Sequence, residues 1–158
     1  MNSATIALEE GAVVTVYLDN CALHRPNDSR SVARNVVEAE AVLRLIELHE
    51  AGVISIVGSG PLIFGAMRNP DEERRREMLD FLASTARLSP DGNDVVESAA
   101  RFGAEGLRAM DAMHLATAVE AAVDYSCTCD DAFLRRARRV DTRSTMVVSP
   151  LELVLELA

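Results

Sequence analysis

Lysine is missing from this chain: all 16 of its basic residues are arginine, a usage to which we assign no functional weight. The absence does count against a phosphotransfer receiver of α/β topology. Such a protein would place paired acids at the end of its first strand and a lysine late in the chain. A basic surplus is missing too. The net charge is −9, so nothing draws the chain to nucleic acid in bulk, and binding a polyanion would require a local arginine surface or a bound metal. Three cysteines, an odd number, do not make a disulfide framework. Cys21 follows the first predicted strand, while Cys127 and Cys129 alternate along a later one and should face the same side. Without partners for a metal–thiolate site they read as small buried side chains, kept reduced as in the cytosol. No apolar run approaches the roughly 20 residues of a membrane span. Met1 to Gly11 carries Glu9 and Glu10 and no basic stretch, so no signal peptide is expected. Repeats, low-complexity tracts and linkers are also lacking.

What remains is a regular alternation. Residues 1–12 read as a lead-in and 13–158 as a single domain. The β-branched run from Val13 to Leu18 predicts a strand buried on both faces. A loop with Pro26, Asn27 and Asp28 follows, then a helix over 31–50 stopped by Gly52. Further strands are expected at 53–57, 87–89, 125–129 and 145–148. The expected helices start at Pro61, run over 71–86, 94–102, 110–123 and 131–139, and resume at Pro150. Strands separated by helices imply an α/β fold with a largely parallel central sheet.

Carboxylates recur where such a sheet would present them. Asp19 closes the first strand, Asp130 closes 125–129, and Asp111 opens a helix. Ligands of open α/β sheets bind beyond the carboxyl ends of the strands. Each aspartate also has a plainer reading, as a turn former or helix N-cap. On a helical wheel, Glu40, Arg44 and Glu47 share a polar arc, whereas Glu38 falls among apolar residues with Arg34 one turn before it. A buried carboxylate needs a partner, so Glu38 either pairs with Arg34 or reaches a polar site. Two such charges about 4 Å apart repel by about 4 kcal/mol at an effective dielectric of about 20. A cluster would therefore seek a cation. Oxygen donors without clustered His or Cys favour Mg²⁺ or Mn²⁺ over zinc. His114, one turn after Asp111, reads as a core or supporting residue.

Three segments carry a family resemblance: Val16-Tyr17-Leu18-Asp19-Asn20-Cys21, the stretch from Gly106 to Ala118 around Asp111, and Thr128-Cys129-Asp130-Asp131-Ala132-Phe133-Leu134. Together with Arg68-Asn69-Pro70-Asp71-Glu72-Glu73-Arg74-Arg75, they resemble the PIN-domain nucleases, which include the toxin ribonucleases of bacterial toxin–antitoxin pairs. The resemblance implies a three-layer α/β/α fold. It also implies a Mg²⁺- or Mn²⁺-dependent endoribonuclease in which water attacks the phosphodiester in line, leaving 5′-phosphate and 3′-hydroxyl ends. Asp19, Asp111 and Asp130 would hold the metal, with Glu38 as a further acidic candidate. Arg68, Arg135 and Arg136 would meet RNA phosphates, with Arg138 and Arg139 in the same cluster. A homodimer in the cytoplasm and a cognate antitoxin are the partners it implies. One feature departs from the pattern. Similar proteins carry a glutamate on the short helix after the second strand, and Pro61 to Arg68 has no carboxylate. The missing group would fall at Ile63 or Gly65, where a restored glutamate is expected to raise metal affinity. A PIN domain that binds RNA or protein without cutting is the alternative.

Overall fold

Strand β1 (Val14–Leu18) is the middle of the sheet, and its register explains the rest. In the computed structural model, which describes residues 12–158, β1 pairs in parallel with β2 (Ile54–Gly58) on one side and β4 (Tyr125–Cys127) on the other. β3 (Ala86–Arg87) and β5 (Met146–Val148) complete the edges in the order β3-β2-β1-β4-β5, all parallel. The sheet grows outward in both directions from β1, so a crevice opens beyond the carboxyl ends of β1 and β4. Apart from Ala12, the lead-in expected over residues 1–12 lies outside the described residues.

Both faces of β1 are covered, which is why its run is apolar without alternation. Val16 and Leu18 pack with Ile54, Ile56 and Cys127 against Val42 and Leu45 of α2 (Ala33–Glu50) and Leu153 of α8 (Pro150–Leu157). Tyr17 points the other way, joining Leu62 and Ala66 of α3 (Gly60–Met67), Met78 and Leu82 of α4 (Glu72–Ala83), and Ala118 of α6 (Ala109–Glu120). A third cluster joins Val95 and Phe102 of α5 (Gly92–Ala104) to Leu115 of α6 and Phe133 of α7 (Asp131–Ala137). The fold is therefore the expected α/β/α arrangement on a parallel sheet. Cys127 and Cys129 lie in the same core cluster, on one side of the sheet, as their spacing predicts.

The segment predicted as a loop after β1 is instead ordered. Asn20–His24 forms a short helix, α1, followed by a 3-10 turn at Arg25–Asn27. Asp19 accepts the Ala22 amide and Pro26 sits early in the turn, so the local signals read as loop formers cap and start helical turns here.

Candidate metal and phosphodiester site

Asp19, Asp111 and Asp130 line one cavity of about 520 Å³ at the carboxyl end of the sheet, together with Asn20, Cys21, Phe64, Gly65, Arg68, Met110 and His114. Each aspartate arrives by a different local device. Asp19 is carried by the end of β1, where its amide still donates to Cys127 at 3.1 Å. Its Oδ1 caps α1. Asp130 caps α7, its Oδ1 accepting from Ala132 at 2.9 Å and Phe133 at 3.0 Å. Asp111 lies in the first turn of α6, whose N-cap is Arg108, so it is not a cap. The plain reading of these residues is thus correct for two of the three. It does not compete with the other reading, because each capping bond uses only one carboxylate oxygen.

Electrostatics ties the three together. Burial pushes the Asp19 carboxyl up to about 6, against hydrogen bonding from Thr128, Ala22 and Cys21, and the charge of Asp111 adds to the rise. Asp111 is raised by its own burial and by the charge of Asp130, while Arg108 and Arg136 act in the opposite sense. Like charges that feel one another in a partly dry cavity are costly until a cation arrives. Among the described residues, no three His, Cys, Asp or Glu side chains converge tightly enough to enclose a bare ion. A cation here would therefore be held partly through water, which suits Mg²⁺ because it gives up its hydration reluctantly. The donors lining the cavity are mostly oxygen, and they fit such an ion better than zinc.

Beneath the cavity runs a buried polar chain. The Tyr17 hydroxyl stands 2.8 Å from Ser59 Oγ and 2.7 Å from His114 Nδ1, and Asn20 Nδ2 lies 3.4 Å from His114 Nε2. Burial holds the imidazole down at about 4, so His114 is neutral at physiological pH. The same burial raises the Tyr17 hydroxyl. This makes His114 a supporting residue. Sequence reasoning gave no role to Tyr17, Ser59 or Asn20, since nothing local shows that strand, turn and helix meet there.

Glu38 does not line the cavity. It borders a separate recess with Arg34, Thr128, Cys129 and Asp131. Arg34 donates to it one turn away on α2, and the Arg25 guanidinium stands 3.4 Å from its other oxygen. Of the two readings left open, the structure thus takes the ion pair, and the catalytic assignment of Glu38 lacks geometric support. Glu38→Ala should cost on the order of 2 kcal/mol, less than for a fully buried pair because Arg34 is half exposed. Denaturant unfolding reads that cost, and a Mn²⁺ titration of the same variant should match wild type.

Of the arginines, Arg68 lines the cavity with its guanidinium 5.4 Å from the centre of the Phe64 ring. Arg136 and the overlooked Arg108 sit close enough to act on Asp111. Arg135, exposed on the same helix, lies near Asp131. Gly65, one of the two positions expected for the missing glutamate, lines the cavity, and the structure changes what a substitution there should do. A Cβ on Gly65 would stand 2.0 Å from Asn20 Nδ2, so a side chain can enter only by displacing the Asn20 amide. Ile63 is not among the cavity residues and packs instead against the Tyr17 cluster.

Comparison with known proteins bears on the family and the fold. The family model for the PIN domain matches residues 16–139. No curated protein matches the chain. Among solved structures, VapBC2 from Rickettsia felis, bound to a DNA fragment from their promoter, is 14% identical with a TM-score of 0.56, covering 85% of this chain and 98% of that one. PAE2754 from Pyrobaculum aerophilum is 16% identical with a TM-score of 0.51, covering 92% of this chain and 98% of that one. Identities this low speak for the fold alone.

Proposed function

The chain belongs to the PIN domain family, whose members are generally nucleases, and on that premise we propose that it is a Mg²⁺- or Mn²⁺-dependent endoribonuclease. The observation that carries the reading is the meeting of Asp19, Asp111 and Asp130, from three distant parts of the chain, around one cavity. A divalent ion bound there would polarise a phosphodiester oxygen and make a bound water nucleophilic near neutral pH. The chain's own contribution is to place charge. Asp19 and Asp130 are fixed by the amides they cap, and Asp111 by the first turn of α6. Arg68 at the rim is positioned to pair with a substrate phosphate, and Arg136 and Arg135 extend that basic edge along α7.

Phe64 gives the substrate a face. It is 51% exposed, the only aromatic among the exposed large apolar residues described, and it lines the cavity. An unpaired base can stack on it, which favours single-stranded RNA. Phe64→Ala should raise KM for a single-stranded oligonucleotide about tenfold while Mn²⁺ affinity holds. Equal loss on a duplex would remove the stacking role.

The test of the reading is incubation of single-stranded RNA with purified protein and Mn²⁺, with a chelator control and end-group analysis. Chelator-sensitive cleavage leaving 5′-phosphate ends is expected. Saturable RNA or protein binding without cleavage would favour a non-cutting PIN module, a reading supported by the absence of a carboxylate on α3. As a toxin of a toxin–antitoxin pair, the protein would work in the cytoplasm as a homodimer silenced by its antitoxin. The exposed Val37 and Leu151, which border one recess, and Leu155 beyond them on α8 offer apolar surface for such partners. No helix among the described residues is long and apolar enough to cross a membrane.

A further inference from the structure

We infer that Asn20 supplies the fourth oxygen of the metal site through its side-chain carbonyl, and that Gly65 is glycine to make room for it. The inference rests on the metal-dependent reading above. Asn20 follows Asp19 directly and lines the same cavity as the three aspartates. Its amide lies across the Cα of Gly65, where an added Cβ would stand 2.0 Å from Nδ2, 2.7 Å from Cγ and 2.9 Å from Oδ1. Any residue but glycine at 65 therefore evicts the amide.

The amide nitrogen heads the buried polar chain beneath the cavity. Asn20 Nδ2 can only donate, so His114 Nε2, 3.4 Å away, must accept. The imidazole proton is then on Nδ1, which donates to the Tyr17 oxygen at 2.7 Å. The Tyr17 hydroxyl in turn donates to Ser59 Oγ at 2.8 Å, and that oxygen also accepts the Leu62 amide at 3.2 Å. With the amide nitrogen toward His114, the bonds of this chain can all run in one direction, and the carbonyl is left without any protein partner. Oδ1 is indeed a buried acceptor with no hydrogen bond.

A buried acceptor left alone costs free energy, and such groups in native proteins are satisfied by water or an ion. A neutral amide oxygen is a good ligand for a hard cation, and it adds no charge to three carboxylates that already repel one another. Asn20 thus fills, from β1's end, the place left by the missing carboxylate on α3. His114 is a positioning residue that acts through Asn20.

The experiment is a calorimetric Mn²⁺ titration near neutral pH, using the full chain, with Asp19→Asn, Asn20→Ala, Asn20→Asp and Gly65→Ala. Asn20→Ala should weaken Mn²⁺ binding about tenfold. Asn20→Asp keeps an oxygen there and should bind as tightly as wild type or more so. Gly65→Ala is the sharpest variant. It replaces a helix-interior glycine, so thermal stability should hold or rise, yet metal binding should weaken as in Asn20→Ala. Addition of Mg²⁺ should shift the Asn20 side-chain carbonyl carbon resonance in wild type and not in Gly65→Ala. Asn20→Ala and Gly65→Ala within about twofold of wild type, while Asp19→Asn loses binding, would overturn this inference alone and leave water on the carbonyl. Asp19→Asn binding Mn²⁺ like wild type would take down the metal-dependent reading and this inference with it.

Discussion

Asp19→Asn and Asp111→Asn should each lower Mn²⁺-dependent RNA cleavage about a thousandfold, with the fold intact. The magnitude follows from removing one of the few preorganised charges that hold a catalytic ion, an effect worth several kcal/mol of transition-state stabilisation. Asparagine is the informative substitution. Its carbonyl oxygen can still accept the Ala22 amide, so α1 keeps its cap when Asp19 is changed. Asp111 makes no capping bond, so its replacement disturbs even less of the helix. Circular dichroism should therefore be unchanged while initial rates collapse. Cleavage that survives in both variants at the wild-type rate would place the chemistry elsewhere or show that it came from a contaminant.

Removal of the Asp19 charge should also stabilise the metal-free protein, and this is the second large effect. The folded carboxyl sits at about 6, above its ordinary value of 3.8, because burial disfavours the charge. A raised carboxyl binds its proton more tightly in the folded state than in the unfolded one. Folding stability is thus unaffected by this group below about pH 4, falls as pH rises towards 6, and carries the full penalty above that. The shift corresponds to a penalty on the order of 3 kcal/mol at neutral pH. Asp111, raised in the same direction, adds to it. Asp19→Asn should therefore melt higher than wild type without metal, by roughly 5–10 °C at neutral pH, and its stability should fall less between about pH 4 and 6.

Saturating Mn²⁺ reverses the order. A cation that binds only the folded state adds about 4.1 kcal/mol at about a thousand times its Kd, more than the Asp19 penalty, and wild type gains this while Asp19→Asn does not. The gain should shrink below about pH 6, where protons compete for Asp19. Scanning calorimetry of both proteins with and without Mn²⁺ reads all four states. A metal-free Asp19→Asn protein less stable than wild type at neutral pH would mean that the buried charge is already compensated.

The parallel sheet and three of its acids were legible because their signals are local. A β-branched run ending in Asp19 is enough to predict a central strand with a carboxylate at its mouth, and Asp130 and Asp111 follow from the same kind of pattern. The helical wheel also identified Glu38 as buried. It named Arg34 as a partner but could not choose between a pair and a site, because the wheel does not show what α2 packs against, including Arg25 in the turn after β1. The helical turns at 20–27 were misread as loop for a related reason: Asp, Asn and Pro are both turn formers and helix starters, and packing decides which.

By itself, then, the amino-acid order determined the alternating elements, the burial of β1 and the presence of acids at strand and helix ends, since propensity and periodicity act over a few residues. The tertiary structure alone decided what those acids meet. Gly65 and Asn20 lie 45 positions apart, yet one makes room for the other, and Ser59, Tyr17, His114 and Asn20 come from a turn and three elements to form one hydrogen-bonded line. Such contacts arise when helices dock on the sheet, and no local pattern encodes a distance between segments that are far apart in the chain.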